Sequence, residues 1–338
     1  MTESQESSPR PDFAQFAGAN VLITGGLGFI GSNLARRLVD LNAQVTLVDS
    51  LVPEYGGNRF NLQGIEDRVR VNISDVRDRY SLRSHLSGQS FLFNLAGQTS
   101  HLDSMVDPFT DLEINCAAQL SILETCRQVN PRIRVVFAST RQIYGRPETL
   151  PVDERHRLSP VDVNGINKLA GEFYHILYND VYDLAASALR LTNTYGPRMR
   201  IKDARQTFVG VWIRRLLEGQ PIEVWGGGQQ RDFTYVDDCV EALLLAAVRP
   251  EARGRVFNLG GNEVVTLAAL AKLLVELNGG GEYLQKDFPA DRKRIDIGDY
   301  YADDSLIRST LGWEPRVSLR DGLSRTLDFF RASLDHYR

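Results

Sequence analysis

The chain has 338 residues, of which 43% are hydrophobic and 24% are charged. At about 150 residues per domain this length predicts two domains with a sizeable core, and the composition excludes disordered, collagen-like and disulfide-rich classes. The 39 basic and 43 acidic residues give a net charge of −4, so no basic footprint indicates nucleic acid or an anionic membrane as a partner. The three cysteines lack metal-ligand spacing and a CxxC pair, which predicts no metal site and is typical of a cytoplasmic protein.

The N-terminal residues 1–16 are expected to form a disordered tail. Residues 2–12 are polar and lack the apolar core of a signal peptide. The longest apolar stretches elsewhere fall well short of the ~20 residues needed to span a bilayer. We therefore expect a cytoplasmic protein without membrane contact.

Short β-branched strands alternate with amphipathic helices along the first half of the chain. Strands are expected at residues 20–24, 44–48, 69–73, 90–95, 134–138 and 185–191, and helices at residues 31–41, 111–128 and 167–179. This alternation predicts an α/β fold, a Rossmann-type doubly wound parallel sheet with helices on both faces.

The alternation changes after Tyr195, where glycine-rich turns and shorter segments follow. Residues 17–195 are expected to form the sheet domain, and residues 231–262 to return to it. The remaining segments, 196–230 and 263–338, are expected to form a smaller C-terminal α/β lobe that faces a substrate.

A glycine-rich loop at residues 24–31 follows an apolar strand and opens a helix. Gly25 permits a tight turn, Gly28 lets the backbone approach a pyrophosphate, and Gly31 allows the helix to pack closely on the strand. The helix N-terminus offers free N–H groups and the positive end of its dipole to phosphates. This context predicts a dinucleotide site. The contacts expected from it are Gly25, Gly28, Phe29, Ile30 and Gly31.

An acidic residue, Asp49, ends the next strand, 24 residues beyond Gly25. A carboxylate there accepts hydrogen bonds from both hydroxyls of the adenosine ribose and repels a 2′-phosphate. The predicted cofactor is therefore NAD rather than NADP. Asp75, followed by Val76, comes after the third strand, and we expect it to accept a hydrogen bond from the adenine amino group.

Further segments make the chain resemble the extended short-chain dehydrogenase/reductases that act on nucleotide sugars. The glycine spacing GxxGxxG is this family's form of the loop. The other matching segments, in the family's order, are residues 95–98 (LAGQ), 139–145 (STRQIYG), 190–198 (RLTNTYGPR), 231–238 (RDFTYVDD), 299–303 (DYYAD) and 311–313 (LGW). The resemblance covers nearly the whole chain. It implies NAD, a nucleotide-sugar substrate that is most commonly a UDP-sugar, and a homodimer.

The family's chemistry implies an Asn, a Ser or Thr, and a Tyr–Lys pair spaced YxxxK, in which a tyrosinate takes a proton from a sugar hydroxyl. Asn115, Thr140 and Lys168 match this pattern, but Asn164 stands where the tyrosine belongs. An amide does not ionise near neutral pH, so Asn164 cannot serve as a general base.

Three explanations fit the missing tyrosine: another group is the base, the redox chemistry is altered, or the protein binds its ligands without catalysis. We favour another base. One candidate is Lys168, whose pKa falls when it is desolvated beside an oxidised nicotinamide. The other candidates are His101, Asp103, Asp162 and Tyr144.

The residues after Thr140 restrict the reaction. Family members that eliminate water across C5 and C6 carry Asp-Glu where this chain has Arg141 and Gln142. Decarboxylating members carry a Glu at the second position and an Arg just after the lysine, where this chain has Gln142 and Leu169. The resemblance thus favours C4 epimerisation of a UDP-sugar through a 4-keto intermediate. A dehydratase, a decarboxylase and a catalytically impaired binding protein remain the alternatives.

The resemblance also implies the contacts around the nicotinamide and the sugar nucleotide. The residues expected beside the nicotinamide end are Leu95, Ala96, Gly97 and Lys168. The expected substrate contacts are Gln98, Arg141, Gln142, Asn193, Arg231 and Arg292. Arg231 and Arg292 suit a diphosphate, while Arg141 either holds the carboxylate of an acidic sugar or pairs with a loop acid.

Overall fold

The computed structural model describes residues 13–289 and 295–338, and the fold is given for these ranges. The strands are β1 (Asn20–Thr24), β2 (Gln44–Asp49), β3 (Val69–Ile73), β4 (Phe91–Asn94), β5 (Arg134–Thr140), β6 (Ala186–Leu191), β7 (Asn193–Tyr195), β8 (Ile222–Trp225), β9 (Gln230–Tyr235), β10 (Val256–Asn258), β11 (Val264–Thr266) and β12 (Tyr283–Lys286).

The α-helices of the same ranges lie between these strands and at the C-terminus. They are α1 (Phe29–Asp40), α2 (Arg79–Leu86), α3 (His101–Val106), α4 (Pro108–Leu112), α5 (Ala118–Val129), α6 (Val163–Tyr182), α7 (Phe208–Leu217), α8 (Val236–Val248), α9 (Leu267–Leu277), α10 (Ser305–Leu311) and α11 (Leu319–Ser333). Within the described ranges, no helix is both long enough and apolar enough to cross a membrane.

Seven strands form a parallel sheet in the order β10-β6-β5-β4-β1-β2-β3. The central strands β1 and β4 are buried almost throughout, as expected when helices cover both faces of a parallel sheet. The chain leaves β1 toward β2 on one side and reaches β4 on the other. A doubly wound sheet opens a crevice at the carboxyl ends of its strands where the strand order reverses. The predicted α/β fold class is confirmed.

Two smaller sheets form the wall opposite this crevice. One has the order β11-β9-β7 and the other pairs β12 with β8. Residues 231–262 were expected to return to the main sheet. Val256–Asn258 pair there with β6, whereas Gln230–Tyr235 pair with β7 in the smaller sheet. Because β7 begins only two residues after β6 ends, it presents a free edge to β9 beyond the main sheet.

The N-terminal tail ends earlier than expected. Ala14–Phe16 form a short 3-10 helix, and Phe16 is fully buried with its ring centroid 4.8 Å from that of Phe91. The prediction of disorder was therefore wrong for residues 13–16, because their aromatic side chains pack on the sheet. Residues 1–12 lie outside the described residues.

The helix expected at residues 111–128 is interrupted. Helix α4 ends at Leu112, a π-helical turn covers Glu113–Ala117, and α5 continues from Ala118. Helix α6 begins at Val163, four residues before its expected start, because the Asp162 carboxylate caps it by accepting from Gly165 N at 2.7 Å. The π-helical turn carries Asn115, and the capped first turn of α6 carries Asn164.

Candidate active site

A cleft with a volume of about 770 Å³ runs along the carboxyl ends of the central strands and continues under the smaller sheets. Most of the residues predicted from the sequence line it. They are Gly25, Gly28, Phe29, Ile30, Gly31, Asp49, Asp75, Val76, Leu95, Ala96, Gly97, Thr140, Arg141, Gln142, Asn164, Lys168, Asn193 and Arg231. Asn115 and Gln98 are buried behind its wall, and Arg292 lies outside the described residues.

The glycine loop forms the cradle that a dinucleotide requires. Gly25 has φ +69°, and a Cβ built on it would lie 3.0 Å from the backbone nitrogen of Ala96. A Cβ on Gly31 would overlap the carbonyl oxygen of Gly25. Only glycine therefore lets the first turn of α1 approach β1 and β4 so closely, which places the N-terminus of α1 at the cleft. These residues fit a dinucleotide.

The two acidic residues predicted at the adenosine end differ in their surroundings. Asp49 ends β2 and its carboxylate accepts from Leu27 N at 3.0 Å and from Leu51 N at 2.9 Å. Burial raises the pKa of Asp49, and these two bonds oppose that shift. Asp75 is instead paired with Arg77 at 2.7 Å, which lowers its pKa. Asp49 is thus held by backbone hydrogen bonds, while Asp75 forms an ion pair with Arg77.

Lys168 and Thr140 meet at the other end of the dinucleotide cleft. Lys168 is buried, its Nζ donates to the Ala138 carbonyl oxygen at 3.1 Å, and burial lowers its pKa to about 8. A Cβ built on Gly97 would lie 2.8 Å from this Nζ and 2.9 Å from Asn115 Oδ1. Asn115 Oδ1 is buried and has no hydrogen-bond partner in the described part of the chain. A hydrogen-bond acceptor and a cation therefore lie together on one face of Gly97.

Asn164 belongs to a buried cluster that the sequence did not predict. Its Nδ2 donates to Asp111 Oδ2 at 2.9 Å and to the Gln98 carbonyl oxygen at 2.8 Å. Asn115 donates to the same Asp111 oxygen at 3.0 Å, and Asn167 donates to Asp111 Oδ1 at 2.8 Å. We call these three asparagines the amide cluster. Asp111 is fully buried, so the amide cluster supplies the hydrogen bonds that a buried carboxylate needs.

A second pair joins the partly exposed imidazole of His101 to the buried carboxylate of Asp162. Its Nδ1 lies 3.0 Å from Oδ2 of Asp162, and the imidazole is 37% exposed on the cleft wall. Asp162 also accepts from Gln142 Nε2 at 2.8 Å. Burial alone would raise the pKa of Asp162, but the interactions with His101, Gly165 and Gln142 outweigh it and hold that pKa below its usual value. His101 Nδ1 is buried and makes no hydrogen bond among the described residues, so Asp162 acts on the imidazole through its charge.

The remaining candidate bases are occupied by other partners. Tyr144 is fully buried, bonded to Asn258 and Arg190 at 2.6 Å each, and burial raises its pKa to about 12. Asp103 accepts from Arg205 Nε at 2.6 Å and does not line the cleft. Of the candidate bases this leaves His101 and Lys168, which line the same cleft as Thr140.

Two arginines face each other across the substrate half of the cleft. Arg231 lies on β9, 3.6 Å from Asp296, and burial together with repulsion from Arg141 lowers its pKa to about 10. Arg141 donates through Nη2 to Asn193 Oδ1 at 3.0 Å. Asn193 in turn donates to the Asp232 carbonyl oxygen. The site is thus built to receive negative charge.

Sequence reasoning missed Asp111 and weighed the pair of His101 and Asp162 only as separate residues. Asp111 and Asn115 are four residues apart, so they share a helix face, and this spacing was the available signal. Nothing in the sequence brings His101 to Asp162, since 61 positions separate them and only the fold brings their side chains together.

Comparison with known proteins finds relatives over nearly the whole chain. The model of the NAD dependent epimerase/dehydratase family matches residues 21–260. A putative UDP-glucose 4-epimerase of Methanocaldococcus jannaschii is 31% identical, covering 92% of this chain and 98% of its own. UDP-glucuronic acid decarboxylase 1 of Xenopus tropicalis is 30% identical, covering 94% and 73%.

Solved structures agree with this result. The crystal structure of UDP-glucose 4-epimerase from Thermotoga maritima, which holds UDP-glucose, superimposes with a TM-score of 0.85 at 31% identity, covering 93% of this chain and 99% of its own. These matches confirm the resemblance and the expectation of NAD. The chain therefore belongs to the NAD dependent epimerase/dehydratase family.

Proposed function

We propose that this protein is an NAD-dependent epimerase that inverts C4 of a UDP-sugar through a 4-keto intermediate. The observation that carries the proposal is that Thr140, Lys168 and the imidazole of His101, beside the carboxylate of Asp162, all line the dinucleotide cleft. Oxidation at C4 needs a base for the hydroxyl proton, a donor that holds the oxygen, and a hydride acceptor. NAD held along the glycine loop would supply the hydride acceptor for C4.

The proposed general base is His101. The imidazole takes the proton from the C4 hydroxyl, and Asp162, whose Oδ2 lies 3.0 Å from Nδ1, stabilises by its charge the imidazolium that forms. Asn164 does not replace the tyrosine in this scheme. Its amide is committed to Asp111 and Gln98, so it stabilises the wall behind the base.

Thr140 and Lys168 bind the C4 oxygen of the sugar, on which negative charge develops during oxidation. The Thr140 hydroxyl donates to the C4 oxygen, and the Lys168 ammonium stabilises the negative charge that develops there. The same ammonium and Asn115 Oδ1, on one face of Gly97, are placed to bond the ribose of the nicotinamide. Inversion further requires the keto sugar to turn over, so the nucleotide must stay anchored elsewhere.

Groups of the C-terminal lobe support this anchoring. Arg231 is buried, donates through Nη1 to the Gln230 carbonyl oxygen at 2.9 Å and lies 3.6 Å from Asp296; a guanidinium placed in this way suits the oxygens of a diphosphate. The ring of Trp225 lines the cleft, with that of Phe288 edge-on to it at 6.3 Å, and offers an apolar surface to a nucleobase. Arg292, which lies outside the described residues, is proposed as a second diphosphate contact.

A homodimer in the cytoplasm completes the proposal. Helix α6 exposes Ile166, Phe173 and Leu177, each about half exposed, and Phe109 on α4 adds to this apolar patch. A patch of this kind is typical of a protein–protein interface. All three cysteines are free thiols, which fits a reducing compartment.

The direct test is turnover of a panel of UDP-, dTDP-, GDP- and CDP-sugars, with the products resolved by chromatography. We expect a UDP-sugar to yield its C4 epimer, and borodeuteride added during turnover to trap the intermediate with deuterium at C4. The Thr140→Val variant should bind UDP normally and lose the trapped product. Binding of NAD and UDP-sugars without turnover of any sugar would instead identify a non-catalytic binding protein. Loss of carbon dioxide or water from the product would identify a decarboxylase or a dehydratase.

A further inference from the structure

One guanidinium nitrogen in the substrate half of the cleft has no partner. Arg141 lines the cleft, and its Nη1 is buried without a hydrogen-bond partner among residues 13–289 and 295–338. The other nitrogen of the fork, Nη2, is fixed by Asn193. A buried guanidinium N–H without an acceptor is costly, and a carboxylate or phosphate oxygen is the acceptor it binds best.

The side chain is held in place by its surroundings rather than by an acid. The guanidinium carbon lies 5.2 Å from the centroid of the Tyr300 ring, a cation–π contact. Its described hydrogen bond goes to an amide, not to a loop acid. The buried carboxylate of Asp232 on β9 accepts hydrogen bonds from the Thr192 hydroxyl and from Ala302 N. Arg141 is therefore a positioned cation whose charge is left for a ligand.

The ligand group follows from the place of Arg141 in the chain. It comes directly after Thr140, the residue proposed to hold the C4 oxygen. The neighbours of C4 in a hexose are C3, which carries a hydroxyl, and C5, which carries C6. Of these positions only C6 can hold the carboxylate that a guanidinium N–H binds best. Arg231 stands on a different element, β9, and is the arginine left for the diphosphate.

We propose that Arg141 binds a carboxylate at C6, and that the substrate is a nucleotide-linked hexuronic acid rather than a neutral hexose. This inference rests on the proposed function and names its substrate class. The carboxylate accepts from Arg141 Nη1 and relieves the repulsion between Arg141 and Arg231. The contact forms in the orientation that presents C4 to Thr140, and it breaks when the keto sugar turns.

The ion pair also protects the 4-keto intermediate from decarboxylation. A 4-keto hexuronic acid is a β-keto acid, and its loss of carbon dioxide moves the electron pair of the C5–C6 bond into an enolate. A guanidinium bound to the carboxylate stabilises the charged reactant relative to neutral carbon dioxide, so it opposes that step. The product is therefore the epimeric acid, with C6 retained.

The test compares the affinities of the NAD-bound protein for UDP, UDP-glucose and UDP-glucuronic acid by calorimetry. We expect UDP-glucuronic acid to bind at least about tenfold more tightly than UDP-glucose. Arg141→Gln should abolish this preference and leave the affinities for UDP and UDP-glucose within about twofold. Arg141→Lys should keep part of it, because the charge remains but the fork is lost. Arg215→Gln, on a cleft arginine that faces Glu223 at 3.5 Å, is the matched control and should keep the full preference.

Two results would overturn the inference. One is a wild-type protein that binds both UDP-sugars equally. The other is an Arg141→Gln variant that loses affinity for UDP and UDP-glucose as strongly as for the acid, since Arg141 would then bind the diphosphate. The epimerisation assay separates this inference from the proposed function. Tight, Arg141-dependent binding of the acid without a C4 epimer rejects the function alone, whereas epimerisation of UDP-glucose without any preference for the acid rejects the inference alone.

Discussion

The side-chain amide of Asn164 donates to the carboxylate of Asp111 across 2.9 Å, at the position where the family resemblance predicts a tyrosine. Both residues are buried, and the same amide also donates to the Gln98 carbonyl oxygen. The asparagine at this position is therefore part of a hydrogen-bonded cluster around a buried carboxylate.

This arrangement predicts energetic coupling between the two residues. Asn164→Ala should lower the free energy of unfolding by about 1–3 kcal/mol, because it leaves a buried carboxylate short of a donor. In the Asp111→Asn background the charge is absent, and the same substitution should cost clearly less. Urea unfolding of the four proteins in this double-mutant cycle measures the difference. Equal costs in both backgrounds would show that Asn164 does not act through Asp111.

Restoring the tyrosine should harm the enzyme. A phenol donates one hydrogen bond where the amide of Asn164 serves both Gln98 and Asp111, and its ionisation would place a second negative charge beside Asp111. We expect Asn164→Tyr to lower the rate of oxidation at C4, followed as NADH absorbance in a single turnover. Asn164→Asp, which removes the donor without adding bulk, is the comparison variant. A faster oxidation in Asn164→Tyr would show that the site still works with a tyrosinate.

Loss of the imidazole should slow catalysis without weakening substrate binding. We expect His101→Asn to reduce kcat by roughly 10²- to 10⁴-fold, the usual contribution of a general base, with the affinity for UDP unchanged. Free imidazole in the buffer should restore part of the rate. Asp162→Asn should also slow turnover and keep its cap on α6, since asparagine caps helices as well as aspartate does.

The matched control for this prediction is His85→Asn, which alters a histidine on α2 that does not line the cleft. Wild-type turnover in His101→Asn would assign the base to another residue, with Lys168 as the next candidate.

The charge of Lys168 predicts an alkaline limit. Burial lowers its pKa to about 8, so the ammonium is present below that pH and is lost as the pH rises through it. Because the proposed role needs the cation, kcat/KM should fall above pH 8. Lys168→Arg keeps its charge throughout this range, so its profile should be flat there, although its rate is lower. If Lys168 were the base, kcat/KM of the wild type would instead rise through pH 8.

The apolar patch on α6 predicts how the chain associates. Phe173 is 55% exposed, and Phe173→Asp should place charges that cannot be hydrated inside a dimer interface. We expect the wild type to sediment as a dimer and the variant as a monomer with an unchanged melting temperature. The control is Tyr80→Asp on α2, where the ring is 84% exposed outside this patch. A monomeric wild type would contradict the proposed homodimer.

The sequence predicted the central sheet well because its strands are continuous apolar runs separated by helices. The glycine loop and Asp49 could be predicted for a similar reason, since their meaning depends on neighbours within one βαβ unit. Strand β9 could not be placed in this way. It pairs with β7 and β11, which are remote in the chain, and its apolar pattern suits either sheet.

The catalytic centre was the least predictable part because its side chains come from distant segments. His101 is the first residue of α3, Asp162 caps the start of α6, and Asp111 lies near the end of α4. Their contacts therefore depend on how these three helices pack. The family motif predicts a tyrosine where the chain has Asn164. It does not show which side chain the fold brings near that position.

The wide turn at Glu113–Ala117 has a further consequence for the family. It holds one residue more than a regular helical turn, so the residues on either side are rotated by about 100° relative to an uninterrupted helix. Loss of a single residue here would rotate Asn115 away from Gly97, while Ile122 and Leu123 kept their positions in the buried core. A one-residue deletion in this turn is thus expected to change the chemistry beside the cofactor cleft and to leave the scaffold in place.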